Sequence, residues 1–200
     1  MQEAKGPLSL NRIYRILKDL SMNPSTESIN KKYRHFSTFA LRISIMFAED
    51  RLFDILPRLE TQLEIVRKYA PGVRPALDPY TSSQIGIFSK IDPDAEIGHF
   101  LDYPDCCIKS FSEKTRYGID ESHVEELMKL PRQKGEKIFV ATAGFIPCSA
   151  LCKKARTRGL VAILNRSEEE NLKSLEGELS MALPHFHPEY QNHYYEIKRI

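Results

Sequence analysis

Four cysteines, and no others, fall in two short motifs. Cys106 and Cys107 end Tyr103-Pro104-Asp105-Cys106-Cys107, and Cys148 and Cys152 bracket Cys148-Ser149-Ala150-Leu151-Cys152 after Pro147. Thiolates bind soft metals and exchange electrons, so thiols confined to two motifs point to one assembled site. Proline is favoured at the first position of a helix, where its missing N–H would be unpaired anyway. If Pro104 and Pro147 each open a helix, then Cys106, Cys107 and Cys148 lie in first turns. Free backbone N–H groups and the positive end of the helix dipole favour thiolate there. The four-residue spacing predicts that Cys148 and Cys152 share a helix face. Cys106 and Cys107 diverge by about 100° on a regular helix, so only one naturally faces a shared centre, although a distorted first turn could present both.

Three readings of these thiols stand open. The first is a centre of three or four thiolates holding an iron–sulfur cluster or zinc. A cluster on three thiolates would leave one iron open to substrate, whereas zinc favours a closed structural site. The spacings match neither zinc-ribbon nor ferredoxin runs. The second is a disulfide, inert or redox-active; a Cys107–Cys148 bridge would contribute about 4 kcal/mol in the chain-entropy model. The third is that these are small buried hydrophobes.

Other residues could bind. Lys153, Lys154 and Arg156, with Arg158 and Arg166, crowd behind Cys152 and suit an anion, an RNA backbone or simply a solvated helix end. Arg74, Asp78 and Tyr80 lie with Thr81, Ser82 and Ser83 in a proline-bounded loop that could present groups to a ligand. Arg74 and Asp78 could equally pair with each other. His185 and His187 alternate in Pro184-His-Phe-His-Pro188, and His99 is near Cys106 in sequence. Each is ambiguous between ligand and structural histidine, and His35, His123 and His193 are read as structural. No phosphate-cradling glycine loop, nucleophile elbow or paired-carboxylate motif is present.

The whole chain bounds these choices. Its 200 residues carry 42% apolar and 28% charged side chains and a net charge of +2. That charge alone implies no nucleic-acid partner. No apolar run could span a bilayer, and the N-terminus lacks the apolar core of a signal peptide. The expectation is a cytoplasmic protein whose thiols stay reduced, which favours metal or catalytic roles over bridges.

The elements that position the thiols read mostly as helices. Leu10, Ile13, Ile16, Leu17 and Leu20 recur at helical spacing after Ser9, a candidate N-cap. Ile29, Tyr33, Phe36, Ala40, Ile43 and Phe47 form a stripe that Leu41 and Ile45 widen, predicting a helix covered on more than one side. Leu59, Leu63, Val66 and Tyr69 mark a third helix, ended by Ala70-Pro71-Gly72. A short strand is predicted over 84–89, then short helices after Asp94 and Asp120. Lys137 to Thr142 reads as a strand, and Leu160 to Leu164 as a strand or a helix. Ser167 to Glu170 reads as a capping box opening a helix with Leu172, Leu175, Leu179 and Leu183. The expected fold is helix-dominated α+β with a small sheet. Residues 1–70 form an N-terminal helical layer and 71–200 the cysteine-bearing α+β region, together one compact unit.

The segments Arg74-Pro-Ala-Leu-Asp-Pro-Tyr-Thr81, Ile85-Gly-Ile-Phe88, Leu101-Asp-Tyr-Pro-Asp-Cys-Cys-Ile-Lys-Ser-Phe111 and Phe145-Ile-Pro-Cys-Ser-Ala-Leu-Cys152 resemble an archaeal family of domains of unknown function. The resemblance runs from about residue 60 to 165. It implies an archaeal, cytoplasmic protein and supplies no activity or cofactor. The functional expectation therefore rests on the cysteines. It is a metal-binding protein, iron–sulfur first, ligated by Cys106 or Cys107 with Cys148 and Cys152, with Lys153, Lys154 and Arg156 beside it. A thiol–disulfide protein and an RNA-binding or assembly module are the alternatives.

Overall fold

The computed structural model describes residues 8–22, 37–87, 94–114, 118–130, 138–184 and 193–199. Apolar periodicity builds the first three helices of that set, α1 (Leu8–Met22), α2 (Ser37–Ala48) and α3 (Arg51–Tyr69). The α3 residues Leu52, Ile55, Leu59, Leu63 and Val66 are buried and follow the 3.6-residue period, and α1 and α2 pack on this helix. Ala70 ends it in the left-handed region, its N–H donating to Val66 O. Ser9 lies inside α1 rather than capping it. In α2, Ile43 and Met46 are buried, but Leu41 and Ile45 are each half exposed, so the helix is covered on one side. The predicted stripe residues Ile29, Tyr33 and Phe36 lie outside the described residues.

Short helices follow: α4 (Pro79–Ile85), α5 (Asp94–Phe100), α6 (Asp105–Glu113) and α7 (Glu121–Met128). The strand predicted over 84–89 is not there for its described part. Asp78 caps α4 by accepting from the Thr81 N–H, Pro79 takes the first helical position, and Gly86 ends the helix at φ 72°. These local signals override a pair of alternating isoleucines.

The sheet is β1 (Ile138–Thr142), β2 (Val161–Leu164) and β3 (Tyr195–Arg199), antiparallel in the order β2-β1-β3. Ile138 stands opposite Leu164 on one side and Arg199 on the other. Two further helices are α8 (Lys153–Thr157) and α9 (Arg166–Ala182). The capping box of α9 is Asn165 with Glu168, two residues before the predicted Ser167 pair. The described chain is thus a helix-dominated α+β fold with a small sheet.

Alternation along β1 divides the interior. Ile138 and Val140 enter a large aliphatic core shared with α1, α3 and α9. Phe139 and Ala141 enter a second, smaller core on the opposite face, with Cys107, Phe145, Ala155, Leu160 and Val161. The cysteine motifs belong to the smaller side.

Candidate metal centre

The centre is built from the tip of α6 and the loop before α8. Pro104 is the N-cap of α6, so Cys106 and Cys107 occupy its second and third positions. Helical side chains lean toward the N-terminus, and in the first turn no preceding turn lies in their way. Both sulfurs therefore overhang the helix end despite their angular separation. Cys106 Sγ lies 4.0 Å from Cys107 Sγ, and each lies 3.8 Å from Cys152 Sγ. The ligand atoms of Cys106, Cys107, Cys148 and Cys152 all fall within 4.8 Å of one another, an arrangement that could hold a metal ion. Cys107 is buried and the other three are half-buried.

The second motif differs from its sequence reading. Pro147 opens no helix; residues 148–151 form a tight turn, and Cys152 is the N-cap of the short α8. Cys148 and Cys152 converge by a loop that folds back, with the Cys152 N–H donating to Ser149 O. The Cys148 N–H in turn donates to Cys107 Sγ at 3.4 Å.

Helix α7 braces this loop. Glu126 Oε2 accepts from Ser149 Oγ at 2.6 Å and from the Ala150 N–H at 2.8 Å. His123, 1% exposed, places Nε2 2.8 Å from Pro147 O, while its Nδ1 lies 2.7 Å from Asp120 Oδ1. A carbonyl can only accept, so Nε2 carries the proton of that bond. Sequence reasoning left His123 as structural and did not single out Glu126. Only the tertiary contact, some 24 residues away in the chain, shows their work.

A close approach orients the other half. Gly98 of α5 faces Ile108 of α6; a Cβ there would stand 2.7 Å from Ile108 Cγ1. The chain then turns through Asp102 at φ 61°, and Tyr103 N–H donates to Gly98 O. The Tyr103 ring meets Phe145 edge-on at 4.7 Å, joining the two motifs through aromatic packing.

The thiols differ in acidity. Burial pushes Cys107 up and raises Cys148 to about 11. Burial also opposes ionisation of Cys152, but the amide of Ala155 and hydrogen bonds from the other thiols outweigh it, so Cys152 is lowered. Four sulfurs this close repel one another as thiolates, and a cation among them removes that repulsion.

The remaining candidate residues divide. Lys153, Lys154 and Arg156 follow Cys152 on α8, all exposed. Asp78 does not pair with Arg74. Its buried carboxylate receives Arg58 Nε at 2.8 Å and Nη2 at 3.1 Å, and the Arg58 guanidinium lies over the Tyr80 ring. Asp78 and Tyr80 thus belong to a clamp at the start of α4. Arg74 instead lines a cavity of about 700 Å³ to which Cys107 also contributes. His99 faces Asp105 at 3.7 Å, and His185 and His187 lie outside the described residues.

A family model described as a protein of unknown function, DUF483, matches residues 59–180. The chain belongs to that family. The matched span contains all four cysteines, Arg74, His123 and Glu126. A relative from Methanothermobacter thermautotrophicus, described as an uncharacterized protein, is 43% identical over 143 residues, 72% of this chain and 78% of the relative. Another uncharacterized protein, from Methanocaldococcus jannaschii, is 44% identical over 146 residues with the same shares. Both relatives come from archaea, as the resemblance implied. No solved structure matches. None of the described helices is long and apolar enough to cross a membrane.

Proposed function

We propose that this is a cytosolic metal-binding protein whose four cysteines hold one tetrahedral ion, zinc, as a structural staple. One observation carries the choice of a single ion. Thiolates about 2.3 Å from a zinc ion stand about 3.8 Å apart along a tetrahedron's edges. The separations among Cys106, Cys107 and Cys152 are 3.8, 3.8 and 4.0 Å, and Cys148 brings all four sulfurs within 4.8 Å of one another. A cluster of several irons spreads its thiolates over separate metal atoms and needs a wider set. A single iron in the same tetrahedron is the second reading, because the all-sulfur donor set suits either metal.

Position supports a structural role. The staple would tie the start of α6 to the loop entering α8, in the smaller core, where little apolar surface is available. Four thiolates around a divalent ion carry a net charge of about −2. The exposed Lys153, Lys154 and Arg156 directly after Cys152 would offset part of it.

Anaerobic purification followed by metal analysis and visible absorption tests the reading. The expected result is one zinc per chain, no colour, and four thiols that react with a thiol reagent only after chelation. Brown protein with iron and acid-labile sulfide would replace the staple with an iron–sulfur cluster. Metal-free protein with bridged cysteines would make it a thiol–disulfide protein instead.

A further inference from the structure

The cavity beside the cysteine centre has a chemistry that the staple does not use. Its walls are largely apolar, with Leu10, Ile13, Ile97, Ile108, Phe145 and Ile146 among them. Its volume of about 700 Å³ is that of a small-molecule site, and such sites pair an apolar lining with a few placed polar groups.

The placed group is Arg74. It is 4% exposed, and its Nη2 donates to Leu101 O at 2.6 Å. Its Nε is buried and has no hydrogen-bond partner, and no carboxylate pairs with it among the described residues. The loop that carries it is fixed at both faces of the backbone. Arg74 N–H donates to Gly159 O at 2.7 Å, and Thr142 Oγ1 donates to Arg74 O at 2.8 Å. The guanidinium cannot easily swing away to solvent.

The surroundings carry more cation than anion. Asp102, in the turn beside Leu101, is shared between Arg12 at 3.4 Å and Arg158 at 3.5 Å. The second acid near the cavity, Glu196, already faces the Ile119 N–H and Lys198. His193 lines the cavity as well and has an interaction of its own. The Arg74 guanidinium lies over the Tyr103 ring at 5.9 Å and feels the already shared Asp102, so its buried charge is only partly offset. Such a cation is costly, and a planar guanidinium fits an oxyanion by paired hydrogen bonds.

We infer that this cavity binds a small organic anion, an apolar body with one carboxylate or phosphate head held by Arg74. The assignment does not depend on which metal the cysteines hold, and metal content and ligand affinity are separate readouts.

Calorimetric titration of the full, metal-loaded chain with octanoate, octyl phosphate and octanol tests it. At least one anion binds about tenfold more tightly than octanol, as a charged hydrogen-bonded pair requires. Arg74→Met removes that preference while leaving metal content unchanged. Ala143→Leu places bulk on the cavity wall while leaving Arg74 in the chain, and weakens anion binding by about tenfold. Octanol binding as tightly as both anions, or no anion binding below millimolar concentration, overturns the proposal. So does unchanged anion affinity in Ala143→Leu, which decides the matter alone if Arg74→Met fails to fold.

Discussion

The two faces of the sheet solve the same problem with different means. On one, long helices α1, α3 and α9 cover β1 with leucines and isoleucines, and apolar burial is the main force between them. On the other, α6, α7 and α8 are short, and the core between them is small and includes alanines and a cysteine. The first face recovers its ordering entropy from apolar area. The second lacks that area and gathers specific bonds: four sulfurs, a buried histidine, and a carboxylate holding a loop. Small cores are where metals act as staples, since metal binding there is folding free energy.

Removing the metal should break this contrast most sharply. Structural zinc sites are worth up to roughly 10 kcal/mol or more of apparent binding energy. Chelation, or Cys152→Ser, should therefore strip amide exchange protection from α6–α8 while α1, α3 and α9 stay protected. Equal loss on both faces would count against a staple confined to one.

Leu59→Ala is the mirror experiment. Leu59 is fully buried in α3, so a loss of about 2–5 kcal/mol is expected from transfer and cavity effects. Metal stoichiometry should not change. Denaturant unfolding with parallel metal analysis would read both.

Glu126→Gln weakens the brace without emptying space. Its charged hydrogen bonds to Ser149 and Ala150 should cost about 1.5–3 kcal/mol and speed metal transfer to a competing chelator. A transfer rate equal to wild type would mean the loop holds its shape unaided.

Glu178→Gln should have the smallest effect. Hydrogen bonds from Lys68 first, then Tyr69, hold Glu178 below its usual range at the α3–α9 contact. A lowered carboxylate stabilises the fold above its unfolded pKa, and that stabilisation is lost on acidification. The gap in melting temperature between wild type and variant should be full above about pH 5 and close toward about pH 3. A gap that widens on acidification would assign the effect to something other than this pair.

The large face was written in periodic leucines, and the spacing of α1, α3 and α9 was legible because local pattern and burial agree. The small face was legible only as a list of sulfurs. That Cys106 and Cys107 both turn to one point depends on their place in a first turn, and the proline before them signalled it. The fold of 148–152 was not legible. Its four-residue spacing suits a helix, but Glu126 captures Ser149 and Ala150 and holds a turn instead. The Asp78–Arg58 pair likewise joins positions 20 apart, which no local pattern encodes. The third strand could have been read: Tyr195 and Ile197 alternate toward the large core, but the histidine-, tyrosine- and proline-rich tail around them masked the signal.

Because neighbouring residues of β1 serve opposite interiors, the middle strand acts as a gear with teeth on both sides. Substituting one tooth disturbs one mechanism. Adding or deleting a single residue directly after Ile138 would rotate every following tooth at once, turning Phe139 among the leucines and Val140 toward the thiols. Length, more than side-chain identity, is the property this segment has least freedom to vary.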